Sequence, residues 1–78
     1  MKLYFENSYG DWREIADCNS SDVYTEIDKF IKKANKKNIK PFKSAYVRSW
    51  ESDGFIHYDV GSWTEFFHLQ VDPTKGVK

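Results

Sequence analysis

Only one stretch of this chain repeats its apolar residues with a helical period, and the segments on either side of it alternate every two residues. Val23, Ile27, Phe30, Ile31 and Ala34 fall at steps of four, three, one and three. On a helical wheel they occupy one face about 100° wide, the width a core-facing helix presents. The spacing predicts an amphipathic helix from about Asp22 to Lys37. Ser20, Ser21 or Asp22 is expected to cap its start, Asn38 can end it, and Pro41 cannot continue it. A single helix flanked by alternating segments limits the chain to a small set of architectures.

The flanks read as strands joined by turns. Leu3 and Phe5 alternate with Lys2, Tyr4 and Glu6, Asn7-Ser8-Tyr9-Gly10 is turn chemistry, and Asp11–Ala16 returns. After the helix, Lys43–Trp50 alternates. Glu51-Ser52-Asp53-Gly54 then supplies a hairpin turn, Phe55–Val60 a strand, and Gly61-Ser62 a turn into Trp63–Val71. The order is ββαβββ, an α+β domain with one amphipathic helix packed on an antiparallel sheet. Residues 1–71 form this single domain, and 72–78, with Pro73 and Gly76, read as a flexible tail.

At 78 residues a lone core is marginal, and one cysteine, Cys18, permits no intrachain disulfide. The compensating resource is aromatic: three Trp, five Tyr and six Phe. Each buried ring removes roughly 150–250 Å² from water. One helix covers only one face of a sheet, so rings alternating onto the other face require a cover or a partner. If Ala45, Val47, Phe67 and Leu69 face the helix, then Tyr46, Trp50, Phe66 and Tyr4 lie on the far side. That face is either a protein-binding surface, with Tyr46, Trp50 and Phe66 as its residues, or is closed by twist and loops. A self-complementary contact there would give a weak homodimer, and otherwise the chain is a monomer. Trp12 and Trp63, beside the turns, read either as covers or as one patch with Tyr9 and Tyr58.

The net charge of zero conceals strong segregation. Residues 29–48 hold eight of the twelve bases and no acid, while residues 1–28 hold seven acids against two bases. Acids at a helix start and bases at its end complement the helix dipole, and Asp28 with Lys32 is a well-oriented pair. The alternative is a nucleic-acid surface through Lys36, Lys37, Lys40, Lys43 and Arg48, with Phe42, Tyr46 and Trp50 interleaved as stacking rings.

Reactive groups are few. His57, His68 and Cys18 have no metal-ligand spacing. The two histidines approach one another only if the last two strands pair, and with Asp59 they would still fall short of a closed zinc site. His57 and Asp59 share a strand face, but no nucleophile context accompanies them. The reading is therefore of a non-enzymatic protein with no catalytic residue, cofactor or metal. The first ten residues hold no apolar run of signal-peptide length and no stretch approaches a membrane span, so a cytoplasmic setting is the expectation.

Phe5-Glu6-Asn7-Ser8-Tyr9-Gly10 and Tyr58-Asp59-Val60-Gly61-Ser62-Trp63-Thr64-Glu65-Phe66-Phe67, with the lysine-rich helix between them, resemble short uncharacterised proteins encoded by phages and prophages of Gram-positive bacteria. The similarity spans residues 3–70. It implies an accessory protein in the host cytoplasm that binds a host or phage protein, or handles nucleic acid. No site residue comes with it.

Overall fold

The helix forms the single crossover in a sheet otherwise built from hairpins. The computed structural model describes residues 1–33, 48–61 and 64–75. Strands β1 (Lys2–Glu6) and β2 (Trp12–Asp17) make the first hairpin, α1 (Val23–Lys33) follows, and β3 (Arg48–Ser52), β4 (Phe55–Asp59) and β5 (Phe66–Gln70) form a meander. The sheet order is β2-β1-β5-β4-β3, antiparallel at every junction. The last strand thus closes against the first, and the expected ββαβββ fold of one helix on an antiparallel sheet is the fold observed.

Turn chemistry fixes the hairpins. The Asn7 side chain accepts hydrogen bonds from the amides of Tyr9 and Asp11 at 2.9 and 3.0 Å, adding to the main-chain bonds Asn7 N–H to Asp11 O and Gly10 N–H to Asn7 O, both 3.0 Å. The second turn is tighter than expected. Glu51 and Ser52 belong to β3, and Asp53 (φ 54°) with Gly54 (φ 83°) alone reverse the chain. Positive φ at both central residues matches the right-handed twist of the strands, which is why Asp-Gly suits the place.

The helix entry differs from expectation. Ser20–Asp22 form a 3₁₀ turn preceded by Asn19 with no side-chain cap, and Asp22 N–H donates to Asn19 O at 3.0 Å. Main-chain bonding of the tighter turn takes over the role assigned to a side-chain cap. Positions 34–37 of the expected helix, 43–47 of the expected strand, Trp63 and residues 76–78 lie outside the described residues.

Leu3, Phe5, Val23, Ile27, Ile31, Tyr58, Phe67 and Leu69 form the core between helix and sheet. Ile27 is fully buried as expected, whereas Phe30 is only half-buried. It lies at the helix margin, against Phe5 (4.7 Å between ring centroids) and Phe67 (5.8 Å), with the Arg13 guanidinium over its open face at 5.6 Å. The register slips between Leu3 and Tyr4, where Ala16 and Glu14 are successive partners across the first hairpin and Ile15 is the extra residue. That bulge lets Ile15 and Ala16 both pack toward the core.

The start of the supposed tail is folded. Val71 and Asp72 both donate to Gly54 O, at 2.9 and 3.0 Å, and Lys75 N–H donates to Asp72 O at 3.1 Å. The Gln70 amide donates to Lys75 O at 2.8 Å. Residues 72–75 therefore form a turn seated on the β3–β4 hairpin, because the exposed Gly54 carbonyl offers an acceptor next to the end of β5.

Candidate functional site

Strand alternation places Tyr4 and Glu6 of β1, Phe66 and His68 of β5, Phe55 and His57 of β4, and Trp50 of β3 on the sheet face away from the helix. The register aligns Tyr4, His68, His57 and Trp50 in a single row across the sheet. This row is where the structure gathers its chemistry.

Its centre is a hydrogen-bonded relay. His68 Nε2–H donates to Glu6 Oε1 at 2.7 Å, His68 Nδ1 lies 2.7 Å from His57 Nδ1, and His57 Nε2 lies 3.2 Å from Ser52 O. His68 is 6% exposed although it sits on the face without a helix. The cover is Trp12: its indole lies parallel to the His68 imidazole, 3.8 Å between centroids and 1° between planes. Trp12 belongs to β2 and is paired in register with Glu6, so its ring crosses β1 to reach β5. It also meets Phe55 edge-on at 5.2 Å and Tyr4 at 6.0 Å.

Beside the relay is a half-open cleft of about 600 Å³, bounded by Glu6, Trp12, Trp50, Phe55, His57 and His68, with Asp53 and Lys75 contributing. Trp50, tilted toward His57 at 5.4 Å, is 49% exposed. Every residue of β3 is exposed, and β3 is one of the two edges, with β2 the other, of the sheet the described residues form.

Two of the three expected protein-binding residues are described, and both lie on the far face. Trp50 is open, Phe66 is on the same face but half-buried, and Tyr46 lies outside the described residues. Tyr4 is on the far side as predicted, yet is only 9% exposed beneath Trp12. The alternative of one patch joining Trp12 with Tyr9 and Tyr58 is not formed. Tyr9 is 89% exposed in the first turn, and Tyr58 is in the core on the opposite face, edge-on to Tyr24 at 5.9 Å.

Of the proposed nucleic-acid residues, Arg48 is exposed on β3, and Lys36, Lys37, Lys40 and Lys43 lie outside the described residues. On the helix, Lys32 meets Asp28 at 2.9 Å and Lys29 meets Glu26 at 3.5 Å, so part of the basic run is locally neutralised. A second hollow, of about 570 Å³ between β2 and α1, is bordered by Arg13, Glu14, Glu26, Lys29, Phe30 and Lys33, a mixture of both charge signs.

The histidines do meet across β4 and β5, as the strand pairing required, but Asp59 does not join them. Its carboxylate accepts from Gly61 N–H at 2.9 Å in the following turn. Among the described residues no cluster of three metal-ligating side chains occurs. Burial pushes the Cys18 thiol above its ordinary range, with the nearby Glu26 carboxylate adding to the effect, so a reactive thiolate is disfavoured there. Among the described residues no helix is long and apolar enough to cross a membrane.

The fold and this face define an open-faced α+β domain with a covered histidine relay. No family model, curated protein or solved structure matches the chain.

Proposed function

We propose that this is a non-enzymatic binding module that docks a partner protein at the β3 edge, with Trp50 as the anchor. The occupant is an extended segment of the partner, added alongside β3 with one side chain entering the cleft beside Trp50. The observation that carries this reading is the contrast along the far face. Trp12 covers Tyr4 and His68, whereas Trp50 and all of β3 stay open to solvent. An open edge supplies main-chain donors and acceptors for an incoming strand, and a half-exposed Trp beside a cleft supplies the side-chain contact. Trp is also the residue most enriched among binding anchors.

A catalytic role is the less supported reading, because both ring nitrogens of both histidines already face protein atoms within 3.2 Å. A general base needs one nitrogen directed at substrate. The phage-type resemblance suggests a host or phage protein as the partner and the host cytoplasm as the setting.

A photo-crosslinking residue at position 51, exposed on β3 beside the intact Trp50 and used in a bacterial lysate, tests the reading when combined with amide exchange. The expected result is cross-links to one extended partner segment, protection of the Arg48–Ser52 amides in the purified complex, and loss of binding in Trp50→Ser. A complex that leaves those amides unprotected, or that survives Trp50→Ser unchanged, excludes β3 as the docking edge.

A further inference from the structure

The relay beneath Trp12 has three links, and the acceptors at its two ends fix what lies between them. Glu6 at one end, as a carboxylate, and the Ser52 carbonyl at the other can only accept hydrogen bonds. Each Nε2 that faces them must then carry a proton. The remaining link is Nδ1 to Nδ1 at 2.7 Å, a distance at which one nitrogen donates and the other accepts. Three links require three protons on two imidazole rings, one more than two neutral rings carry.

We infer that the folded protein contains a proton-binding site in which His57 and His68 share one extra proton between their Nδ1 atoms. The pair then carries one positive charge, and Glu6 supplies the matching negative charge. Its surroundings suit that state. His68 is nearly buried, and a neutral cluster is the form burial tolerates. The parallel Trp12 indole at 3.8 Å presents its π face to the ring that holds the charge.

Removing the shared proton leaves an acceptor facing an acceptor somewhere along the relay. Adding a fourth sets two N–H groups against each other at the central link. Both changes weaken a chain of contacts that ties β1, β5, β4 and the end of β3 together, so the far face loosens on either side of a middle pH. Other charged groups around the pair are Asp53 and Lys75 beside the cleft, Arg48 paired in register with Asp59, and Glu14 of β2, which meets Lys2 at 3.7 Å. Among the described residues Tyr4 is a further titratable neighbour, opposite His68 on β1.

The site is independent of any docking partner, and nitrogen NMR on the full chain tests it. Near pH 6.5 the expected result is protonated Nε2 on both rings and one slowly exchanging, far-downfield proton coupled to both Nδ1 nitrogens. Two ring protons in total, or four, would overturn the inference. Thermal melting against pH supplies a second measurement. The parent should be most stable at a middle pH, and that maximum should flatten in His57→Phe. A peak unchanged by that substitution would place its origin outside the pair.

Discussion

The two faces of this sheet rest on different physics. Against the helix, Leu3, Ile27, Phe67 and Leu69 are fully buried, and they exclude water through non-directional packing. On the far face a single indole from β2 covers Tyr4 and the hydrogen-bonded His68, while Trp50 at the other end of the row stays open. The first closure tolerates small shifts in geometry but not lost volume. The second buries less, yet depends on angle, distance and proton count. A chain of 78 residues with few aliphatic side chains thus closes one face by packing and covers only part of the other with a single ring.

The sharpest test of that contrast is to remove volume from the helix face. Phe67→Ala should cost about 3–5 kcal/mol, enough to unfold a domain this small, as read by denaturant titration. Phe30→Ala, at the half-exposed margin, should cost less, about 2–3 kcal/mol. If the two costs were equal, the core would extend further around the helix than the burial indicates. On the far face, His68→Phe keeps a ring under Trp12 but strands Glu6 and His57, and should cost about 1–3 kcal/mol. A neutral outcome would mean that ring burial, not hydrogen bonding, closes this face.

Alkaline titration separates the faces in a second way. Burial pushes the Tyr58 hydroxyl and the Cys18 thiol above their ordinary ranges, with Tyr24 adding to the first and Glu26 to the second. The folded state keeps protons that the unfolded chain releases, so both groups contribute stability below the ordinary thiol and phenol ranges. That stability is lost as pH rises through the raised folded values. Tyr58→Phe should flatten the alkaline limb of a melting curve and leave the region near neutrality unchanged. The smallest expected effect is that of Trp50→Ser on folding, within about 0.5 kcal/mol. A larger loss would mean that Trp50 belongs to the fold and not to a docking edge.

The legible parts of this molecule are those that depend on neighbours in sequence. The helix face follows from the spacing of Val23, Ile27 and Ile31, and the hairpins follow from Asn7, Asp53 and Gly54, because each is fixed within a few residues. The docking candidate Trp50 was readable as a far-face ring. The role of Trp12 was narrowed only to a cover or a patch, since its ring crosses an intervening strand to a histidine 56 positions away in the chain. The burial of His68 follows from that crossing and has no local signal. The one available hint was the parity of the last hairpin, which allowed His57 and His68 to meet. The side-chain cap at the helix entry failed because a 3₁₀ turn supplied the same hydrogen bonds from the backbone.

The Gly54 carbonyl has a mechanical consequence. It accepts two amides from the residues just after β5, and a side chain at position 54 would meet Lys75 Cγ at 2.5 Å and Asp72 Cβ at 2.9 Å. The end of β5 is thus latched onto the hairpin that precedes it. Tension applied beyond Lys75 reaches this latch before it reaches β5, which lies in the middle of the sheet between β1 and β4. The strand that joins the sheet's two halves is shielded from peeling by a glycine at the far end of its neighbour.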